Sequence, residues 1–278
     1  LPTNYLADEV IDDNKVDALL AKKYDETIVI AEDDPEILAY LKDELSTNFR
    51  VIAVNNGYDA VKAVMDNEVS LILSDVLMPA LNGFQLCSNI KSNIATCHIP
   101  IVLLTALSDD NQRIYGIAEG ADEYIHKPFN MQYVRLKIIR IIEERRRLAD
   151  TFAQKFGRLT RHEAANLPCV DDVFRDKLFD LIEAQHSDSN FKIELMSDML
   201  GMSRILLYRK ITSIFGMSPS DLLRNFRLQK AVQLLTDQRR NVSEVAYTVG
   251  FSSPAYFAKC FKSVYNMTPT EYMYRTQK

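Results

Sequence analysis

Apolar residues in this chain follow two regimes. Up to about residue 130, short apolar runs alternate with amphipathic stretches; beyond that the runs give way to apolar positions recurring every three or four residues. TIVIA (27–31), FRVIAV (49–54), LILSD (71–75), IVLLT (101–105) and DEYIH (122–126) read as strands. Between them, Asp34-Pro35 supplies an N-cap and a first helical residue, with Ile37, Leu38, Leu41 and Leu45 on one helical face. Asn55-Asn56-Gly57 turns into a helix near 58–66, and Phe84–Ile90 and Ser108–Ala118 are helical as well. Strands that alternate with helices in this way predict an α/β fold, a doubly wound five-stranded parallel sheet.

The flanks read differently. Residues 1–25 are charged and without clear period, so they read as a linker, and the opening Leu-Pro without a Met suggests a cut fragment. From Met131 to about Phe156 one long helix is expected, with neither Pro nor Gly. Ile138, Ile141, Leu148 and Phe152 are spaced unevenly along it around the charged run Glu143 to Arg147. Its first half should pack on the sheet; its second half is expected to be a dimer seam or a solvated connector. Gly157–Asp172 reads as another linker. The expected domains are therefore 26–143, a helical connector at 144–172, and an all-α domain at 173–278.

That last region contains an internal repeat. IELMSDMLGMSRILLYRKIT (193–212) and VSEVAYTVGFSSPAYFAKCFK (242–262) each place a helix, a glycine, an apolar residue, a serine and a second helix in that order. This is helix-turn-helix logic: Gly201 or Gly250 turns the chain and a serine caps the next helix, Ser253 being followed by Pro254 at the first helical position. The repeat continues, because FGMSPSDL (215–222) matches YNMTPTEY (265–272). Ser218 with Asp221 and Thr268 with Glu271 form capping-box pairs, and Asn266 stands where the first copy has Gly216.

Composition narrows the class. At 47% hydrophobic and 26% charged, 278 residues suffice for two ordinary packed domains. Cys87, Cys97, Cys169 and Cys260 lack metal-ligand spacing and predict free thiols in a reducing, cytoplasmic compartment. No apolar run approaches membrane-spanning length and no signal-peptide layout opens the chain, so no membrane contact is expected of it. The net charge of −5 is unevenly shared: 20 Lys and Arg stand against 32 Asp and Glu up to residue 190, and 13 against 6 after it. An acidic amino-terminal part and a basic carboxyl-terminal part suggest that the latter faces nucleic acid.

Each expected strand ends in a polar group: Glu32, Asp33 and Asp34 after the first, Asp75 after the third, Thr105 after the fourth and Lys127-Pro128 after the fifth. A lone aspartate after a strand is often no more than a helix cap. Parallel strands, however, bring these ends to one edge, and carboxylates that close repel unless a cation screens them. An oxygen-only site suits Mg²⁺, Lys127 is a point charge suited to a phosphoryl oxygen, and Thr105 can donate a hydrogen bond to one.

Over roughly Thr27–Ile142 these residues resemble the CheY-like receiver domains of response regulators. The resemblance rests on Glu32-Asp33, the pattern Asp75, Met78, Pro79, Gly83, the pair Thr105-Ala106, and Lys127-Pro128. It implies that Asp75 accepts a phosphoryl group from the phosphohistidine of a histidine kinase. It further implies Mg²⁺ held by Glu32, Asp33, Asp75 and the backbone carbonyl of Leu77, a switch pair of Thr105 and Tyr124, and a cis Lys127-Pro128 bond. Glu for Asp at position 32 is a common variant.

Over about Val173–Tyr274 the chain resembles AraC/XylS-type DNA-binding domains, most closely at VGFSSPAYFAKCFK and MTPTEY. That implies two recognition helices, joined by a helix near Asp221–Thr236, entering successive major grooves of double-stranded DNA roughly 34 Å apart. By helical position Leu207 and Ile211, and Phe257 and Phe261, are core. Arg204, Ile205, Tyr208 and Arg209 face the groove from the first recognition helix; Ser253, Pro254, Ala255, Ala258 and Lys259 do so from the second. Arg224, Arg227, Lys259 and Lys262 are expected at phosphates.

The two halves together resemble the carboxyl-terminal part of a hybrid two-component regulator, in which a sensor, often for saccharides, and a histidine kinase precede the receiver. The expected partners are DNA, a histidine kinase, a second copy of the chain when phosphorylated, and RNA polymerase. The fragment itself is expected to be no enzyme. The rival readings are a free-standing response regulator, a receiver used only as a binding module, and an Asp/Mg²⁺ phosphatase; a missing second catalytic aspartate near Asp75 counts against the phosphatase.

Overall fold

A computed structural model of the chain describes residues 13–106, 120–156, 171–236 and 240–276. The chain divides into two units, residues 1–143 and 144–278. The first contains strands β1 (Thr27–Ala31), β2 (Arg50–Val54), β3 (Leu71–Asp75), β4 (Ile101–Thr105) and β5 (Glu123–His126). All pair in parallel in the order β2-β1-β3-β4-β5, so the doubly wound sheet is present as expected. Its helices are α1 (Asp13–Ala21), α2 (Pro35–Ser46), α3 (Gly57–Asp66), α4 (Gly83–Ser92) and the first part of α5 (Met131–Phe156). The helix expected at 108–118 lies outside the described residues.

The strands alternate between two cores. Ile28, Ile30, Leu71, Leu73, Val102 and Leu104 face Leu41 and Leu45 of α2 and Val134, Ile138 and Ile142 of α5. Val29, Ile72, Ile101 and Leu103 face Ala60 and Val64 of α3 and Leu86 and Ile90 of α4. A side-chain period of two in strands covered on both faces explains the uninterrupted apolar runs.

Residues 13–25 are not the linker that their charge suggested. Val16, Leu19 and Leu20 recur at helical spacing inside the charged stretch, and Leu19 and Leu20 pack on the core. Tyr24 is buried with its ring 5.2 Å from that of Phe49. The buried Asn48 amide donates to the carbonyls of Leu20 at 2.8 Å and Lys22 at 2.7 Å, and Arg135 on α5 donates to the Asn48 side chain at 2.7 Å and to the Leu20 carbonyl at 3.2 Å. Lys22 and the Tyr24 hydroxyl both donate to Glu143, at 3.0 Å each.

The second unit contains the rest of α5, then α6 (Asp172–Gln185), α7 (Ile193–Met199), α8 (Arg204–Phe215), α9 (Pro219–Leu235), α10 (Val242–Thr248), α11 (Pro254–Tyr265) and α12 (Pro269–Thr276). The tail of α5 is neither a seam nor a solvated connector along its apolar face. Ala149, Phe152 and Phe156 are buried, with the Phe152 ring 4.7 Å from Phe215 and the Phe156 ring 5.5 Å from Phe179. Four-residue spacing puts 152 and 156 on one face, a signal obscured by the exposed Glu144, Arg146 and Arg147 just before it. Helix α6 begins inside the expected linker, capped by Asp171, whose side chain accepts from the Phe174 N–H. The left-handed residue after α8 is Gly216 (φ 65) and after α11 it is Asn266 (φ 57), as the repeat implied. Among the described residues no helix is long and apolar enough to cross a membrane.

Candidate functional site

Glu32 and Asp33 follow β1, and Asp75 ends β3. These two strands adjoin at the point where the strand order reverses, the position at which open α/β sheets receive ligands. One carboxylate oxygen from each of the three acids lies within 4.8 Å of the others; Glu32 and Asp75 are buried and Asp33 is exposed. Asp34 does not join them. Its side chain caps α2, accepting from the N–H groups of Glu36 at 2.8 Å and Ile37 at 3.2 Å. A triad of hard oxygen donors, one of them open to water, fits Mg²⁺ chemistry, because that ion keeps several waters.

The loop after β3 is tightly drawn. The Asp75 carbonyl accepts from the Ser74 hydroxyl at 2.8 Å, and the Val76 N–H donates to Leu104 at 3.0 Å. Gly83 passes so close to the Asp75 carbonyl that a Cβ there would collide with it. Val76, Met78 and Leu81 are buried while the Leu77 side chain is exposed. Ala80 takes a positive φ of 67, with the Leu81 N–H donating to Pro79 at 2.8 Å across it. Asp33, Asn55, Asn56, Tyr58, Pro79 and Ala80 line an open cleft of about 560 Å³ beside the acids.

Lys127 reaches the acids from beyond β5. Its Nζ donates to Glu32 Oε2 at 2.8 Å and lies 3.0 Å from Asp75 Oδ1. Burial pushes the Glu32 carboxyl above its ordinary range, against the hydrogen bond from Lys127. Burial also opposes charge on Lys127, but its hydrogen bonds to Glu32 and Asp75 outweigh this and hold the ammonium above the ordinary lysine value. The Lys127-Pro128 peptide is cis, and the Lys127 N–H donates to the Thr105 carbonyl at 2.8 Å. Thr105 is buried at the end of β4, opposite His126 in register. Tyr124, two residues earlier on β5, packs partly buried against the α3/α4 core.

In the helical unit Ser203 and Ser253 cap α8 and α11, accepting from the N–H groups of Leu206 and Tyr256. Leu207, Ile211, Phe257 and Phe261 are fully buried. On the opposite faces Arg204, Ile205, Tyr208, Ala255 and Lys259 are exposed, while Arg209, Ser253, Pro254 and Ala258 are part-buried. Arg204 is ion-paired with Glu194 at 2.9 Å, and Arg224 with Asp221 at 2.8 Å. Lys262 is exposed.

Arg227 departs from its expected place at a phosphate. Its guanidinium is turned inward onto backbone carbonyls, because α9 presents this position to the loop before α7. Lys210 was overlooked on sequence: it sits on α8, fully buried, 2.6 Å from Asp171 and over the Phe174 ring. The exposed Tyr256, next to the expected readers of α11, was overlooked too. Neither had a signal beyond its place on a helix. A charged side chain does not show in the local period which partner it will find.

Residues 28–139 match the family model described as response regulator receiver domain, and residues 196–275 match one described as helix-turn-helix domain. The chain is similar to "Histidine kinase P4" of Formosa agariphila, 38% identical over 266 residues that cover 96% of this chain and 19% of that protein. It is also similar to the transcriptional regulatory protein GltR of Pseudomonas aeruginosa, 38% identical over 113 residues, 40% of this chain and 47% of that one. Among solved structures, the receiver domain of a signal transduction histidine kinase from Syntrophus aciditrophicus superposes with a TM-score of 0.41 at 34% identity, covering 43% of this chain and 91% of that one. The chain thus spans about a fifth of one curated relative and under half of the other.

Proposed function

We propose that this chain, a response-regulator receiver domain followed by an AraC-type helix-turn-helix domain, is a transcription regulator controlled by phosphorylation of Asp75. The observation that carries the reading is the meeting of Glu32, Asp33 and Asp75 at one rim with the Lys127 ammonium between two of them. Glu32, Asp33, Asp75 and the Leu77 carbonyl would hold Mg²⁺, which when bound supplies positive charge against phosphoryl oxygens.

The chain's own groups do the rest. The Asp75 carboxylate is the acceptor, within 4.8 Å of the Asp33 carboxylate, which itself lines the open cleft with Pro79. A phosphoryl group there adds roughly −1.5 to −2 charges. Lys127 is already placed to meet that charge, and the Thr105 hydroxyl is to donate to it. Movement of Thr105 toward the new oxygens, with Tyr124 following inward, is the switch; it biases the face near 120–142, and through it pairing with a second copy or DNA binding by the helical unit. Arg204, Ile205, Tyr208, Arg209, Ser253, Pro254, Ala255 and Lys259 then face the grooves, while Arg224 and Lys262 meet phosphates.

Similarity over 96% of this chain to a protein named as a histidine kinase supports a hybrid arrangement, in which the kinase lies upstream in one cytoplasm-facing polypeptide. A saccharide-responsive sensor belongs to the same proposal and rests only on the resemblance to hybrid regulators. RNA polymerase is the partner that a DNA-bound activator would engage.

The test is phosphorylation by a small phosphodonor with Mg²⁺, followed by DNA selection with and without it. Wild type should label at one carboxylate and shift its DNA affinity; Asp75→Asn should neither label nor shift. Labelling that persists in Asp75→Asn defeats the assignment, and turnover of a generic phosphate ester would favour a phosphatase instead.

A further inference from the structure

Arg227 lies in the middle of α9, the helix between the two helix-turn-helix units. Its Nε donates to the His186 carbonyl at 2.8 Å; its Nη2 donates to the Asp188 carbonyl at 2.7 Å and lies 3.4 Å from that of Phe191. These carbonyls belong to the segment leading into α7, the first helix of the first unit. The same guanidinium also meets the turn of the second unit. A Cβ on Gly250 would stand 2.9 Å from Nε and 3.1 Å from Cζ of Arg227, and would run into the His186 carbonyl. One planar group therefore touches the entry to the first unit, the connecting helix, and the turn between α10 and α11.

We propose that Arg227 is a positioning residue that sets the separation and relative rotation of the two helix-turn-helix units, and through them the half-site spacing the chain accepts. This rests on the DNA-binding reading above. The guanidinium is a rigid fork of donors, so three carbonyls from one loop fix its plane; a lysine offers one mobile point charge and cannot satisfy the same set. Gly250 supplies an independent constraint at the same joint. Its φ of 90 suits glycine alone, and the missing side chain is what lets the guanidinium and the His186 carbonyl lie against the turn. Burial holds the Arg227 pKa below the usual arginine range, with Asp188 offsetting part of that, consistent with a charge committed inside the unit.

The full chain carries the experiment. Spin labels at the exposed positions Ser213 on α8 and Ser263 on α11, attached through side chains orthogonal to the native thiols, report the distance between the units. In parallel, phosphorylated protein selects DNA from a library in which the gap between two half-sites varies by single base pairs. Wild type should show one narrow distance and one preferred spacing. Arg227→Lys and Gly250→Ala should broaden the distance and weaken spacing discrimination by roughly tenfold, with affinity for an isolated half-site nearly unchanged.

A distance that stays narrow and a spacing that stays sharp in both variants overturns the proposal. If Arg227→Lys fails to fold, Gly250→Ala decides. A wild type that selects no DNA removes the spacing claim together with the DNA-binding reading. The label distances then still tell whether Arg227 orders the joint, so the two failures remain distinct.

Discussion

Lys127 is the residue on which the receiver's acid rim depends. It bridges Glu32, whose side chain is only 2% exposed, and Asp75 at 10%. Removing one partner of a buried ion pair leaves an uncompensated charge, at a cost of about 3–5 kcal/mol. Lys127→Met should lose roughly that much stability in urea titration at pH 8 without Mg²⁺. Without the ammonium, the Glu32 pKa rises further above its unfolded value, so the folded state binds the extra proton as pH falls. The deficit should therefore shrink toward pH 5 and be smaller in a Glu32→Gln background. A pH-independent loss would show that packing, and not charge, is what Lys127 supplies. Position, at this scale, was legible: each polar residue of the rim ends an apolar run, and the parallel sheet brings the run ends together. What escaped was the fate of long charged side chains. Nothing in the spacing around Arg227 or Lys210 distinguishes a solvated cation from one that turns back onto a backbone carbonyl or an aspartate.

Among the elements, α1 and α5 are where pattern reading stopped short. Both carry a narrow apolar stripe among charges, and charge density hid the stripe. The Arg135 guanidinium closes the contact between them, donating to the Asn48 side chain, the Thr47 hydroxyl and the Leu20 carbonyl. Hydrogen bonds to a charged group contribute about 1.5–3 kcal/mol, so Arg135→Ala should speed amide exchange across residues 16–24 by roughly 10- to 100-fold. The sheet should keep its protection, and Asn48→Ala should reproduce the effect. Unchanged exchange in that segment would mean that Leu19, Leu20 and Tyr24 anchor it by packing alone. The repeat, by contrast, was readable down to its caps. Ser203, Ser218, Ser253 and Thr268 accept from the backbone where the two copies require it, and Thr268 and Glu271 exchange bonds in both directions.

Over the whole molecule, the division of charge is the property that acts at a distance. The acidic part carries −12 up to residue 190 and the basic part +7 after it. Attraction to DNA should therefore come from the carboxyl-terminal region and weaken steeply with salt. Lys259→Ala should lower affinity for all sequences alike and reduce the slope of log affinity against log salt by about 1. Arg209→Ala should instead cost about 1–3 kcal/mol against one base pair only. Equal losses across all sequences for Arg209→Ala would reduce it to a backbone contact. The slope is a sum over every phosphate neutralised, and composition alone announced its sign; which cations contribute follows from the faces that α8 and α11 leave open.

The long helix α5 has a practical corollary for anyone wishing to dissect this protein. Ile138 and Ile142 belong to one hydrophobic interior and Phe152 and Phe156 to another, so each unit takes part of its packing from this one helix. A carboxyl-terminal piece begun at 173 would lack these two interior phenylalanines and expose the pocket they fill, whereas one begun near 144 keeps both. A fragment begun at 173 should precipitate or melt early, whereas pieces that each retain their own share of the helix should behave.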